Sequence, residues 1–554
     1  MFAFIIEQSV KQKIQTPQDL AKIKREGSFR FNKKMPTNIQ LLQVYHNLIK
    51  KRKISRNPQL EKILKTREIR TLSGVAIITV LTKPFRCPGR CLYCPDEKGM
   101  PKSYLKNEPA AQRAYSNKFN PYLQFKMRLQ ALEMTGHQTD KIELIVLGGT
   151  WSAYPKDYQY WFIAECFRAA NATSLKLKYQ NPKPQLKTKN YHKILKREQK
   201  KNETVKHRII GLTLETRPDF INLEEIKKMR DLGCTRVELG VQSLYSDVLK
   251  KNLRGHSVDE TVLATRLLKN AGFKINYHMM LNLPGSDLKR DEQMFEELFS
   301  NPGFQPDLLK IYPCLVLRTA PLYKIWKKGG YKPYSEKQLI NLILRIKRKI
   351  PPYVRIQRII RDIPGDSIFA GSKLTNLRQI IENSGLKLCR CIRCREIRGQ
   401  YSPKDKINLF RQDYEASGGK EIFLSFESPD RKKIYALLRL RIPSGYFCHS
   451  RESGNPDSGS RVKPGMTNEN FPILRHSALI RELHTFGQLV PIGKKEKQKA
   501  QHIGLGKKLM QEAEKIVKKD SGFKKIAVIA GIGTREYYRK LGYRLKNEYM
   551  IKIL

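Results

Sequence analysis

The stretch CPGRCLYC sets Cys87, Cys91 and Cys94 in a Cx3Cx2C spacing. Three thiolates on one tight loop can ligate three irons of a 4Fe–4S cluster and leave the fourth iron open to a small-molecule chelator. A zinc knuckle would need a fourth Cys or His nearby, and none follows closely. Tyr93, beside the last cysteine, is placed to pack over such a cluster and exclude water. A second group, CRCIRC, supplies Cys389, Cys391 and Cys394, with Arg390 and Arg393 between them to favour thiolates. Structural zinc takes four ligands, and Cys314 in KIYPCLV is the expected fourth; the alternative is a second iron–sulfur cluster. Cys166 and Cys234 read as buried free thiols.

Two glycine-rich turns could hold ligands by their backbones. LGGT, Leu147 to Thr150, ends a strand, and Gly148 and Gly149 there would let the chain approach a ligand closely; an ordinary tight turn is the bland alternative. Glu215 in LETRPD and Gln242 in LGVQS end later strands at the same mouth, as polar contacts to a ligand or as structural residues. QHIGLG, Gln501 to Gly506 with Gly504 at its centre, runs into the amphipathic helix KKLMQEAEKIVKK. Such a turn offers free N–H groups and a helix dipole to a pyrophosphate. The motif is weak alone, but the strand IRELHTFG precedes it and KKIAVIAG and TREYYRKLGY follow.

Charge narrows the partners. The chain has 107 Lys and Arg against 51 Asp and Glu in 554 residues, a net charge of +56. Residues 11–70 hold 17 basic residues against 4 acids, with Phe29, Phe31 and Tyr45 interleaved, and residues 174–208 hold 12 against 2. A phosphate backbone is the partner such blocks fit best, with a Lys-rich coding bias as the alternative. Hydrophobic content of 40% and aromatic content of 9% exclude wholesale disorder. No apolar run is long enough to span a membrane, and MFAFIIEQ is too short for a signal peptide, so a cytoplasmic protein is expected.

The elements that must position these groups follow from periodicity. Residues 1–75 read as short basic helices; SGVAIITVL is the β-branched run of a buried parallel strand. From 76 to 345 strands and helices alternate, as in an α/β barrel or partial barrel whose chemistry sits at the strands' C-terminal ends. Residues 346–400 form a cysteine-bearing linker and 401–554 a separate α+β domain. A Gly/Ser/Pro/Asn-rich insertion, about 444–475, interrupts that domain and contains Cys448.

With a strand before it and βα units after it, the Cx3Cx2C loop resembles the radical S-adenosylmethionine (radical SAM) superfamily, and the C-terminal order of elements resembles the GNAT acetyltransferases. Together, and through RTLSGVAIITVLTKP, GLTLETRPDFI, RGHSVDET, RDIPGDSIFAG, RELHTFG and REYYRKLGY, the chain is similar to the catalytic subunit family of Elongator in its single-chain prokaryotic form. The resemblance implies a multidomain α/β fold: a radical SAM partial barrel, a GNAT domain and a basic N-terminal region that meets tRNA. It implies a 4Fe–4S cluster on Cys87, Cys91 and Cys94, and SAM beside Gly148, Gly149, Glu215 and Gln242. Acetyl-CoA would lie along Glu482, Leu483, His484 and Thr485, with its phosphates at Gln501, Gly504, Leu505, Gly506 and Lys507. Lys141 would contact it from the radical domain, and Tyr537 and Tyr538 near the thioester. The implied reaction installs an acetyl-derived carboxymethyl group at carbon 5 of the wobble uridine. An electron donor and a homodimer are further expected partners. Two departures stand out: the family commonly spaces its first two cluster cysteines more widely, and has Gly-Gly where Asp96 and Glu97 follow Pro95 here. A protein lysine acetyltransferase, a non-catalytic tRNA-binding module and another radical SAM tRNA modifier are the competing readings.

Overall fold

The structure, a computed structural model, describes residues 1–65, 71, 73–172, 188–374, 376–383, 389–398, 401–402, 404–443, 471–487, 504–520 and 522–554. The expected insertion therefore lies outside the described residues up to 470; its last part, 471–475, forms a short turn with Leu474 buried.

Four helices open the chain: α1 (Phe2–Lys11), α2 (Pro17–Arg30), α3 (Asn38–Lys50) and α4 (Pro58–Leu64). Thr16 and Thr37 each close a capping box with the residue three positions on, which fixes where α2 and α3 start. Their apolar stripes meet in a small core of their own, including Ile5, Leu20, Leu41, Tyr45 and Leu60. The outward faces carry Lys11, Lys22, Arg25, Arg30, Lys33 and Lys50, all exposed.

The first sheet is wholly parallel, in the order β1 (Ala76–Leu81), β2 (Lys141–Leu147), β3 (Arg208–Thr216), β4 (Arg236–Gln242), β5 (Lys274–Leu281), β6 (Leu308–Pro313) and β8 (Arg355–Arg358). It stays open between β1 and β8, a partial barrel. Strand β7 (Val316–Leu317) pairs with β9 (Ile368–Ala370) in a separate ribbon. The linker expected from residue 346 therefore begins too early: β8 completes the barrel sheet, because Arg355 and Ile356 add to β6.

The second sheet runs β10 (Asn408–Glu415), β11 (Gly419–Glu427), β12 (Ile434–Pro443), β13 (Ser477–Thr485), β14 (Lys525–Val528), β16 (Tyr549–Ile553) and β15 (Arg544–Lys546). Only β13 and β14 pair in parallel, from Ser477–Lys525 as far as Ile480–Val528; beyond that point β13 stays with β12 while β14 leaves, so the sheet forks. Helix Leu505–Asp520 packs its apolar face, Leu509, Met510, Ala513 and Val517, against this sheet.

The second sheet closes the floor of the barrel, where its strands begin. Arg481 on β13 donates to Asp307, just before β6, and to Glu421 on β11, at 3.0 and 2.7 Å. Arg439 and Arg441 on β12 reach Tyr353 O and Asn270 Oδ1, and Lys269 lies within 4 Å of both carboxylates. All six charged side chains are buried. Burial opposes ionisation of Asp307, yet Arg481, Lys269 and Arg439 hold its carboxyl well below the usual range.

Removing one member of such a set leaves uncompensated buried charge. Asp307→Ala is therefore expected to cost about 3–5 kcal/mol in urea denaturation. A loss below about 1 kcal/mol would mean that the seam does not hold the two sheets together.

Candidate active site

The loop after β1 leaves the carboxyl end of the parallel sheet and is pinned from two sides. Leu92 N donates to Asn252 O at 3.2 Å, and Leu322 N donates to Leu92 O at 2.8 Å. This brings Cys87, Cys91 and Cys94 to the mouth of the barrel. Gly89 allows the convergence: a Cβ there would stand 3.5 Å from Cys91 Sγ, 3.8 Å from Cys87 Sγ and 2.7 Å from Arg217 Nη1. Arg254 Nη1 donates to Cys91 Sγ at 3.6 Å, while Arg217, paired through Nε and Nη2 with Asp219, keeps a buried Nη1 with no hydrogen-bond partner among the described residues. His256, beside both guanidiniums, is pushed down to about 2 by burial and by their charge, and so stays neutral. Arg217 is itself paired with Asp219, so Arg254 is the buried cation that meets the thiols; it suits a thiolate-bound, electron-rich cluster, and the donor set fits 4Fe–4S. ETRPD and RGHS carry Arg217, Arg254 and His256, but no local spacing marks them as neighbours of the cysteine loop.

The LGGT turn lies against this loop, with Thr150 Oγ1 3.8 Å from Cys87 Sγ. Gly148 has φ of +134°, and a Cβ on it would overlap Thr82 Oγ1. Only glycine fits. Glu215 accepts from Tyr104 Oη at 2.9 Å and lies 3.5 Å from His278 Nδ1; His278 Nε2 is 2.9 Å from Glu238, which Lys310 also pairs. Burial opposes ionisation of Glu238, but Lys310 and His278 hold it well below the usual carboxylate range. Gln242 sits at φ +73° and faces the same cavity as Glu215 and Cys94.

That cavity, of 410 Å³, continues down to the fork in the second sheet, where Leu483, His484 and Tyr538 line it. His484 Nε2 lies 3.0 Å from Ser73 O. Glu482 is ion-paired to Arg439 and Lys274; despite its burial, they hold its carboxyl well below the usual range, which leaves its backbone as the part available to a ligand. Gly504, at φ +79°, precedes the helix that Leu505 opens, and Lys507 is exposed. A Cβ on Gly506 would lie 3.2 Å from Tyr537 Oη and 3.5 Å from Thr485 Oγ1, so this turn sits beside β13 and the tyrosines. Tyr538 is buried and burial pushes its phenol up; Tyr537 is 40% exposed and meets it edge-on at 5.3 Å. Gln501 lies outside the described residues. Lys141 opens β2 at the floor, the opposite end from the glycine turn, and lies outside the cavity lining; burial lowers its ammonium.

Cys389, Cys391 and Cys394 do come together, their Sγ atoms all within 4.8 Å. Cys314 does not join them. It follows β6 at the mouth, in an apolar cluster with Val248, Leu283 and Tyr331, whereas Ile392 N donates to Val354 O at the floor. The barrel's height separates the two, and among the described residues no fourth Cys, His or carboxylate completes the set. Residues 389–394 thus present a three-thiol group that could hold a metal.

A parallel partial barrel with three thiols after its first strand, joined to a C-terminal mixed sheet, defines a radical SAM protein with an appended domain. The radical SAM superfamily description matches residues 81–298, and that of the radical SAM C-terminal domain matches 306–385. The chain is 44% identical to "tRNA uridine(34) acetyltransferase" of Methanocaldococcus infernus, over 89% of this chain and 88% of that one. It is 39% identical to human "Elongator complex protein 3", over 90% and 88%. The solved structure of the archaeal Methanocaldococcus infernus Elp3 with an N-terminal deletion superposes with a TM-score of 0.68 at 41% identity, covering 87% of this chain and 100% of that one. The chain belongs to the family of Elongator complex protein 3 and the tRNA uridine(34) acetyltransferases.

The two glycines of LGGT should respond differently to alanine. Gly148→Ala adds a clash with Thr82 to its unfavourable φ, whereas Gly149, at +90°, has nothing nearer than Lys102 O at 3.5 Å. G148A is expected to lower the denaturation midpoint and iron uptake more than G149A, whose cost should stay near the ~1 kcal/mol of a strained φ. Equal effects would remove Thr82 from the explanation.

Proposed function

We propose that the chain is a tRNA-modifying acyltransferase that installs an acetyl-derived carboxymethyl group at carbon 5 of the wobble uridine. The observation that carries this is the single cavity reaching from Cys94, Glu215 and Gln242 to Leu483, His484 and Tyr538. One end suits a cluster and SAM, the other an acyl-CoA. When bound, cluster and SAM supply a radical able to take a hydrogen atom from an unactivated C–H group. Cys87, Cys91 and Cys94 would hold the cluster, with Arg254, which donates to Cys91 Sγ, balancing its thiolates. Gly148 and Gly149 would let the backbone lie against SAM, and Glu215 and Gln242 would meet its polar groups.

The backbone of Glu482 to Thr485 would pair with the pantetheine arm, and the turn at Gly504, Leu505, Gly506 and Lys507 would receive the phosphates. Tyr538 would stand at the thioester; Lys141, at the floor, would contact the cofactor from the barrel side. Zinc is proposed for Cys389, Cys391 and Cys394. The exposed basic faces of α1–α3 support a tRNA track, since they offer phosphate contacts without base readout. No described helix is long and apolar enough to cross a membrane. A cytoplasmic enzyme, reduced by a separate electron donor and active as a homodimer, completes the reading.

Anaerobic reconstitution with tRNA, SAM, reductant and acetyl-CoA, followed by nucleoside mass analysis, should yield carboxymethylated uridine. Cys91→Ala should reduce that product to background and lower bound iron. Acetylation of a basic peptide with no uridine product would select the lysine acetyltransferase instead. Persistence of the product in C91A would remove the cluster assignment.

A further inference from the structure

The turn that follows β5, residues 282–286, lies outside the cavity lining, yet it is tied to a buried carboxylate that the proposed chemistry does not use. Asp291, in the first turn of helix Leu288–Ser300, is 1% exposed. Asn282 N donates to its Oδ2 at 2.6 Å, Tyr334 Oη to the same oxygen at 2.9 Å, and Ser286 Oγ to Oδ1 at 2.5 Å. Asn282 stands at φ +60°, and its own groups are held as well: Oδ1 accepts from Tyr334 N at 2.7 Å and the carbonyl from Tyr331 Oη at 2.8 Å. No cation faces Asp291 among the described residues. Arg290 turns away to Asp247, and the groups around the carboxylate are Asp287, the phenols of Tyr245, Tyr331 and Tyr334, and the Cys314 thiol.

This turn carries the cysteine loop. Asn252 Nδ2 donates to Pro284 O at 2.8 Å, and the Asn252 carbonyl is the one that Leu92 N reaches. Gly285, at φ +94°, lets Lys251 lie on the turn, since a Cβ there would stand 3.0 Å from Lys251 Cδ. The second pin arrives the same way. Leu322, whose N–H meets Leu92 O, packs in one apolar cluster with Val248, Leu283 and Tyr331, and Tyr331 is hydrogen-bonded to Asn282. Both bonds that pin Leu92 between Cys91 and Cys94 therefore trace back to the turn that Asp291 ties.

We propose that Asp291 is a positioning residue for the cysteine loop, acting through the 282–286 turn, Asn252 and Leu92. This rests on the cluster reading of Cys87, Cys91 and Cys94. A carboxylate suits the task because it accepts several donors at once. The arrangement also has a pH signature. Burial pushes the Asp291 carboxyl up to about 6, while the Cys314 thiol is pushed up to about 12 and the phenols of Tyr245, Tyr331 and Tyr334 are raised too. Asp291 is thus the group of this set that titrates near neutrality. Because the closed turn holds the proton more tightly than water does, protonation favours closure, and the turn opens more easily as pH rises through about 6. An asparagine would keep the acceptor for Asn282 N without the buried charge.

Hydrogen exchange of the full chain without its cluster, read by peptide mass spectrometry, tests this. Asp291→Ala leaves Asn282 N without its acceptor and should raise exchange in residues 88–95 at least about tenfold, while β2 and β3 keep their protection. Asp291→Asn should restore protection of 88–95. From about pH 5 to about pH 7.5, after correction for the intrinsic rate, exchange of 88–95 should rise about tenfold in the wild type and stay flat in D291N. A response of D291A confined to 282–300 would overturn the inference. So would equal pH profiles in wild type and D291N, a comparison that decides the matter even where D291A does not fold. In the reconstituted enzyme, iron release to a chelator should be fastest in D291A, and equal release in all three proteins would also overturn it. Iron bound equally by wild type and C91A would instead remove the cluster reading and leave the exchange result standing.

Discussion

The structure depends on the ionic seam between the two sheets. Asp307 and Glu421 are surrounded by Lys269, Arg439, Arg441 and Arg481, and none of the six side chains touches solvent. Burying such a set is tolerated because each carboxylate meets several cations, Glu482 also pairs with Arg439, and burial lowers the Lys269 ammonium to about 8, which eases the cationic excess. An all-apolar interface would hold equally well and slide more easily. The directional hydrogen bonds from Arg481 to Phe273 O and from Arg439 to Tyr353 O fix the second sheet in a single register on the barrel floor. That register sets the fork of β13 and β14 under the lumen.

The same logic governs the lumen. Glu143 pairs with Arg236, Glu238 with Lys310 and His278, and Glu482 with Lys274. These pairs form a ladder of matched charge from the floor to Glu215 near the mouth. Matched pairs tolerate a low dielectric and keep the open space from collapsing, since side chains held by ion pairs cannot turn inward to fill it. At the mouth the balance changes. Arg217 is paired with Asp219 but keeps Nη1 without a partner among the described residues, and Arg254 donates to Cys91 Sγ and Gly240 O, so two guanidiniums share one carboxylate where the thiols gather. The excess is confined to the place where an anionic ligand set would neutralise it.

What could be read from sequence was what is local. The Cx3Cx2C spacing, the two glycines of LGGT and the glycine turn before a helix each place their groups within a few residues, and the structure puts them on a loop, a strand end and a helix start. Gly233 and Gly272 end helices at positive φ, as their positions suggest. The assignments that required distant pairing did not follow. Arg355–Arg358 reads as a basic linker, and only its addition to β6 makes it a strand. The arginines of LLRLRIP, Arg439 and Arg441, lie in the buried seam, which their alternation with leucines does not reveal. Cys314 follows a barrel strand, which suggests availability, but the strand carries it to the mouth while the other three thiols sit at the floor.

Arg217 and Arg254 show why even the site was only half legible. Each lies inside a quoted stretch, LETRPD or RGHSVDET, yet nothing in a run of sequence says that two arginines about 40 positions apart converge on one cysteine loop. The convergence comes from β3 and β4 being neighbours in a parallel sheet, so that the loops leaving their carboxyl ends stand side by side. In a sheet of this topology chemistry gathers at one rim because every strand delivers its following residues there. The parallel order therefore does more than hold the core: it turns motifs scattered over more than 150 residues into one mouth, while the opposite rim is left for the second sheet to close.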